Sequence, residues 1–343
     1  MRERNFSSDN NAGMSPEALK AFVDANRSHA TAYGEDAITA EAKASIRKWL
    51  ESDCEVYFVV GGTAANCLSI AGSIRNYHSV ICHEISHIQN DECHAPGFFN
   101  PGIQLRPLPG KNGKLNPDDI APVFGWSHGV HGTQPGLVSI TQSTEAGTNY
   151  SLKELKTITK IAHEMDLPVH MDGARFANAL VALGATPAEM SWKSGIDLLS
   201  LGGMKNGLAF GEALVVVNRE IADRLDYRIK QTGQLSSKMR FISAPWKAYI
   251  ESGEWRKNAE NANRMAQMLA QVVSLIDGIE LLFPVESNAV FCSMDESRYR
   301  FMLDRGWLFY PFPQMKGYRL MCSWDTQPED IEAFATDLKA APL

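Results

Sequence analysis

Two motifs that could act on one ligand stand thirty-three residues apart in this chain. An apolar run, Pro168-Val169-His170-Met171, delivers Asp172 into the turn Gly173-Ala174-Arg175. A second run ends at Leu201 and delivers Lys205 through Gly202-Gly203-Met204-Lys205-Asn206-Gly207. Chemistry with pyridoxal 5'-phosphate needs this combination. A lysine amine condenses with the cofactor aldehyde, and a carboxylate keeps a proton on the pyridine nitrogen so that the ring draws electrons from a breaking bond. Either motif alone is common. Together, in this order and each at a strand end, they make cofactor chemistry the leading reading.

Other residues fit the same ligand. Gly61-Gly62-Thr63-Ala64-Ala65-Asn66 follows a buried strand and opens a helix, where free N–H groups and the helix dipole suit a phosphate. The segment lacks both GxxxxGK[ST] and GxGxxG, so it suits one phosphate better than a pyrophosphate, unless it is a plain glycine-rich helix start. His87 lies just past the strand Val80–His83; it could stack on a flat heteroaromatic ring and move protons, or be a surface or interface histidine. Asp172 and Arg175 are three apart, so a turn can aim both into one cavity, with Arg175 at the ring's phenolate oxygen; the alternative is that they simply pair. Arg319 in Gly317-Tyr318-Arg319-Leu320-Met321-Cys322 could hold a substrate carboxylate bidentately, or be an exposed strand arginine. Arg228, Lys230 and Arg240 form either a solvated helix face or a group that reaches a phosphate across a subunit boundary.

These positions need a scaffold, and the patterning supplies one. Short β-branched runs alternate with amphipathic stretches, which predicts an α/β fold with a mainly parallel sheet. Strands are expected at Glu55–Val60, Val80–His83, Leu137–Thr141, Pro168–Met171, Asp197–Leu201 and Ala213–Val217, buried on both faces. Helices are expected at Ala64–Ile74, Leu152–Met165 and Ala174–Leu183, with another running from near Arg219 towards Leu235–Arg240. Ser151 and Glu154 form a capping-box signature. After about Ala244 the texture changes. A long helix (Trp255–Ile276) leads to strands near Glu280–Phe283, Ala289–Ser293, Trp307–Phe309 and Tyr318–Cys322, with helices at Glu296–Arg305 and Asp325–Ala340. This tail reads as a smaller α+β domain, giving expected domains 1–245 and 246–343. Pro107–Thr133, rich in Gly, Pro and Asn, is the longest irregular stretch.

Composition narrows the function classes. With 33 Lys and Arg against 40 Asp and Glu, the net charge of −7 and the lack of a basic block argue against a nucleic-acid partner. No signal-peptide core follows Met1, and no apolar run approaches the roughly 20 residues of a membrane span, so a cytoplasmic, membrane-free protein is expected. Six cysteines are scattered. Cys82, His83, His87, Cys93 and His94 fall within thirteen residues, but their spacing departs from the usual zinc pairs, and no metal is expected.

With those residues in hand, the chain resembles the L-threonine aldolase family of fold-type-I pyridoxal phosphate enzymes, nearest its bacterial low-specificity branch. The resemblance rests on Phe6-Ser7-Ser8-Asp9-Asn10, Tyr33-Gly34-Glu35-Asp36, Gly62-Thr63-Ala64-Ala65-Asn66, Ser86-His87, Asp172-Gly173-Ala174-Arg175, the Lys205 loop and Lys238-Met239-Arg240. It implies an aspartate-aminotransferase-like large domain, a small C-terminal domain, and a homotetramer of dimers that share active sites. It also implies that Lys205 binds the cofactor covalently, Asp172 meets the ring nitrogen, Arg175 the ring oxygen, and His87 stacks on the ring. Gly62 and Thr63 match the phosphate turn, with Arg240 and Lys230 as further phosphate contacts. Ser8 and Arg319 match positions that hold the substrate carboxylate. His131, with His128 as its rival, resembles a second histidine near the substrate hydroxyl. Met204 departs from the Ser or Thr that many members carry before the lysine, and Gln231–Lys238 is longer and less glycine-rich.

The implied reaction is retro-aldol cleavage of threonine, allo-threonine or phenylserine-like β-hydroxy-α-amino acids to glycine and an aldehyde. His87 or His131, directly or through water, is the expected base. A β-eliminating or hydroxymethyl-transferring enzyme on the same fold is the alternative. A cofactor-free α/β binding protein and a metal hydrolase built on Cys82–His94 are rivals of other classes.

Overall fold

The structure is a computed structural model that describes residues 4–126, 129–221, 225–312 and 316–341. Seven strands form the main sheet: β1 (Glu55–Val59), β2 (His78–His83), β3 (Gln104–Leu108), β4 (Gln134–Thr141), β5 (Val169–Gly173), β6 (Leu198–Leu201) and β7 (Glu212–Val216). Their spatial order is β1-β7-β6-β5-β4-β2-β3. β7 runs antiparallel to β1 and β6, and the remaining pairings are parallel. Every residue of β5, β6 and β7 is buried, as expected for strands with helices on both faces. One face packs Ile46, Phe58, Ile158, Met171, Phe176 and Trp246; the other packs Leu68, Ile70, Leu198, Leu214 and Leu225.

Six of the seven strands lie where the apolar runs predict them, within a few residues at each end. β3 was not anticipated. It is an edge strand with a mostly solvent-touched pattern and Pro107 within it, so neither alternation nor an apolar run marks it. Helices Pro16–Asp24 and Ala37–Leu50 were also not anticipated. The helix expected from Arg219 to Arg240 is instead a short one, Leu225–Gln231, and a separate one, Arg240–Glu251. Gly233, at φ +75°, breaks the path between them. At Ser151 both halves of the capping box form, with Glu154 N–H on Ser151 Oγ at 3.2 Å and Ser151 N–H on Glu154 Oε2 at 2.7 Å.

A second, antiparallel sheet holds β8 (Ala289–Cys292), β9 (Tyr310–Phe312) and β10 (Gly317–Met321) in the order β8-β10-β9. β9 begins after the Trp307–Phe309 run expected as a strand. Trp307 and Phe309 sit instead in the core with Met265, Leu269, Leu320 and Phe334. Near Glu280–Phe283 only one bridge forms, between Leu281 and Cys292. The 245/246 boundary expected from the sequence falls inside helix Arg240–Glu251.

Phe6 ties the two parts together. It packs within the C-terminal core, its N–H donates to Leu308 O at 3.0 Å, and its carbonyl accepts from Met321 N–H at 2.8 Å. That anchor feeds Ser7, Ser8 and Asp9 towards the carboxyl ends of the main-sheet strands. β2, β4, β5 and β6 all point their carboxyl ends to one edge, where open α/β sheets bind ligands. Antiparallel β7 starts at that edge, with Glu212 opposite Val59.

Candidate active site

Residues from five strand ends and the N-terminal segment converge at this edge. β5 places Asp172 between Thr141 of β4 and Ser200 of β6. Asp172 is buried; its Oδ1 accepts from Ala174 N–H at 2.9 Å and its Oδ2 from Asn66 Nδ2 at 2.8 Å. Burial opposes its ionisation, but His87 and Lys205 outweigh burial and hold the carboxyl below its usual range.

Lys205 lies in the tight turn Met204–Asn206 that follows β6. It lines the same cavity of about 320 Å³ as Asp172, together with Gly62, Thr63, Asn66, His87, Glu145, Arg175 and Glu212. The two residues predicted to act on one ring therefore do open onto one space. Burial, then the Arg175 charge, pull the Lys205 amine below its ordinary pKa, against the opposing pull of Asp9 and Asp172. That enlarges the neutral, nucleophilic fraction. Glu212 accepts from Gly203 N–H at 2.6 Å and fixes the start of the lysine turn; burial pushes its carboxyl up to about 8.

His87 begins the short helix His87–Asn90 and reaches the same cavity. Its Nδ1 bonds Glu92 Oε1 at 2.8 Å, and Asn66 Nδ2 donates to that oxygen at 3.0 Å while also serving Asp172. One amide thus links the histidine's anchor to the aspartate. Burial lowers the His87 pKa, but Glu92 and Asp172 more than compensate and raise it.

Arg175 does not pair with Asp172. Its partner is Asp9, through Nε–Oδ2 at 2.7 Å and Nη2–Oδ1 at 3.0 Å, and Asn288 Nδ2 adds a third bond to Asp9 at 3.0 Å. Sequence reasoning singled out Ser8 but passed over Asp9, which is completely buried here. The Arg175 and Lys205 charges overcome burial and depress the Asp9 carboxyl.

An adjoining cavity of about 440 Å³ shares Asn10, His87, Glu145, Arg175 and Lys205 with the first. Ser8, Arg319, Tyr310 and Phe312 line its far side. Arg319 donates to Ser7 O at 3.3 Å, but its buried Nε has no partner among the described residues. A guanidinium with a free donor facing a small cavity is suited to a carboxylate.

Some predicted residues lie elsewhere. His131 sits in the exposed turn Gly129–His131 and lines neither cavity of this chain. His128 lies outside the described residues. Arg240 donates to Ala25 O at 3.0 Å, and Lys230 sits 4.7 Å from the Tyr33 ring centre. The Cys82–His94 residues disperse: Cys82 is buried in β2, His83 bonds Gly110 O at 3.0 Å, His87 turns to Glu92, and Cys93 is exposed.

Residues 5–297 match the family model described as beta-eliminating lyase. The chain is 48% identical over 339 residues to the low specificity L-threonine aldolase of Pseudomonas sp. (strain NCIMB 10558), covering 99% of this chain and 98% of that one. It is 47% identical to the enzyme of the same name from Pseudomonas aeruginosa, covering 97% and 96%. A solved Leishmania major threonine aldolase superimposes with a TM-score of 0.91 at 29% identity, covering 98% of both chains. The chain belongs to the beta-eliminating lyase family, in the group that includes the low-specificity L-threonine aldolases. It has the fold-type-I architecture, and its family works with pyridoxal 5'-phosphate.

The residues present fit that cofactor. Gly61, which precedes helix Gly62–Ser73, offers no side-chain cap, so the first-turn N–H groups stay open to a phosphate. Asp172 is held ionised, as a pyridinium partner must be, and Lys205 has its amine in the same cavity. Asn66 Oδ1 and Glu145 Oε2 are buried polar atoms with no hydrogen-bond partner among the described residues, and both residues line this space.

Proposed function

We propose that this protein cleaves L-threonine, L-allo-threonine and related β-hydroxy-α-amino acids, phenylserine among them, to glycine and an aldehyde. It is a pyridoxal phosphate-dependent carbon–carbon lyase. The observation that carries the reading is the shared wall of the two cavities. Lys205 and Asp172 open into one, and Arg319 lines the other with Lys205. When bound, the cofactor supplies the electron sink for the breaking Cα–Cβ bond.

The chain's own groups do the rest. Lys205 would hold the cofactor through its amine. Asp172 would hold a proton at the ring nitrogen, and Arg175, oriented by Asp9, would serve the ring oxygen. Gly62 and Thr63 would bind the phosphate, and His87, its orientation fixed by Glu92, would pack on the ring. Arg319 and Ser8 hold the substrate carboxylate and so fix which bond at Cα stands to be broken.

The reading extends to the assembly. The chain comprises a cofactor-binding unit, 1–245, and a smaller unit, 246–343. It forms a cytoplasmic homotetramer with shared active sites, in which His131, Lys230 and Arg240 serve a neighbouring subunit's site. Exposed apolar residues support this: Val130, beside His131, is 97% exposed and Tyr227, near Lys230, is 68% exposed. Among the described residues no helix is long and apolar enough to cross a membrane. Light scattering on the purified protein tests the tetramer.

The activity is tested by incubating the holoenzyme with L-threonine, L-allo-threonine and phenylserine, without folate, and measuring glycine and aldehyde. Formation of 2-oxobutyrate and ammonia from threonine would mark β-elimination instead. Lys205→Ala should abolish both turnover and the visible absorbance of the loaded protein; full activity in that variant would refute the assignment of Lys205.

A further inference from the structure

The reaction needs a group to take the proton from the substrate β-hydroxyl, and the two histidines expected for this task are poorly placed for it. His131 lines neither cavity of its own chain and would reach a site only across a subunit boundary. His87 has its Nδ1 tied to buried Glu92, and in the reading above its ring is committed to the cofactor. Glu145 lies where both fall short. It follows β4 in the loop Thr144-Glu145-Ala146-Gly147, is part-buried, and forms part of the wall shared by the cofactor and substrate cavities.

Its two oxygens have different surroundings. Oε1 accepts from His87 N–H at 2.7 Å and from Thr141 Oγ1 at 2.9 Å, so the side chain is held at two points. Oε2 is buried and has no hydrogen-bond partner among the described residues. A buried carboxyl oxygen without a partner is costly, and functional sites are where that cost is tolerated.

We propose that Glu145 is a catalytic residue whose Oε2 takes the β-hydroxyl proton and returns it to Cα. The inference rests on the β-hydroxy amino acid reading above. The O–H proton passes to Oε2, the carbonyl of the aldehyde forms, and the Cα–Cβ bond breaks with its electron pair retained on the Cα side. The same proton then passes from Glu145 to Cα, so glycine forms and the carboxylate is restored. No oxidant, reductant or further proton is needed.

The electrostatics agree. Burial, with Asp172 adding to it, pushes the Glu145 carboxyl up to about 7, against the His87 N–H and Thr141 hydroxyl that lower it. A proton-transfer group works best when its pKa lies near the working pH. The titratable groups that face it are Asp172, Arg175, His87, Lys205, Tyr150 and Cys82.

Glu145→Gln separates this role from a structural one, because the amide oxygen can still accept from His87 N–H and Thr141. With wild-type holoenzyme active on threonine, E145Q should bind cofactor with an unchanged visible spectrum and unchanged KM. Its kcat should fall about 100-fold or more. Thr141→Val removes a hydroxyl that stabilises the carboxylate, so the acid limb of its kcat–pH profile should move to higher pH. An E145Q kcat within threefold of wild type, or an acid limb unmoved in T141V, overturns the proposal. A wild-type holoenzyme that releases no aldehyde refutes the reading of the reaction itself.

Discussion

Asp9 gives the sharpest test of how the site is assembled, because its partner is reached across 166 residues of chain. Asp9→Asn keeps the shape but removes the charge and one of two acceptor oxygens. In the native pair Asp9 is fully buried and Arg175 mostly so, its side chain 16% exposed, with two parallel bonds at 2.7 and 3.0 Å. Removing one partner of such a pair strands a buried charge, at about 3–5 kcal/mol. Urea denaturation at matched protein concentration should therefore show D9N destabilised by about that amount at neutral pH. The Asp9 carboxyl is depressed below its ordinary value of 3.8, so its contribution is present above that value and lost as pH falls through the folded pKa. The gap between wild type and D9N should close accordingly in acid. Arg175→Met in the D9N background removes the stranded charge, so the double variant should lose less than the sum of the single losses. A D9N loss below about 1 kcal/mol, or strict additivity in the cycle, would refute the argument that this pair orders the site.

Three further outcomes follow from the same geometry. Arg319→Lys keeps the charge but not the fork, and losing one charge-assisted bond of about 1.5–3 kcal/mol should raise KM for threonine roughly 10- to 150-fold with little change in kcat. Glu92→Gln removes the carboxylate that raises His87, so the imidazole should titrate at lower pH, read by NMR. Because the folded His87 pKa lies above its ordinary 6.5, the stability it adds is complete below that value and fades as pH rises through the folded pKa, so E92Q should lose more stability at pH 5 than at pH 8. Phe6→Ala should cost about 3–5 kcal/mol in urea denaturation, since Phe6 stacks against Trp307 with ring centres 5.7 Å apart and meets Phe334 edge-on at 5.0 Å.

The motifs that could be read from sequence were those whose signal is local. Asp172 and Lys205 each end an apolar run, and Gly62-Thr63 opens a helix directly after one, so strand periodicity alone puts all of them at one sheet edge. Asp9, Glu92, Glu145 and Glu212 carry no such signature. Each is a lone acid whose partner comes from another part of the chain, as Asp9 finds Arg175 and Glu92 finds His87 and Asn66. A weak signal did exist for two of them. Glu212 leads the otherwise apolar run Glu212-Ala213-Leu214-Val215-Val216, and Glu145 interrupts a stretch of small residues just past β4. Acids are rarely fully buried without a task or a partner, so an acid inside or next to a strand buried on both faces is itself informative. Edge strand β3 and the break at Gly233 were illegible for a different reason: solvent, not packing, decides their pattern.

The buried carboxyls divide by the company the fold gives them. Asp9 receives a guanidinium fork and Asp172 receives Lys205 and His87, and both are held ionised despite burial. Glu145 receives one backbone N–H and one hydroxyl while facing the Asp172 charge, and Glu212 sets backbone N–H groups and the Lys205 charge against burial and the same Asp172 charge, which still prevail. Those two titrate near neutrality, at about 7 and 8. Carboxyls whose environments drive their pKa values apart take different roles. The permanently charged pair suits binding, since a fixed charge orients a cation without changing state. A carboxyl that gains and loses its proton near neutral pH suits transfer. Of the two that do, Glu212 is spent on Gly203 beside the lysine turn, whereas Glu145 keeps one oxygen free in the wall between the cavities. That asymmetry places the proton-transfer task on Glu145 rather than on any other acid of the site.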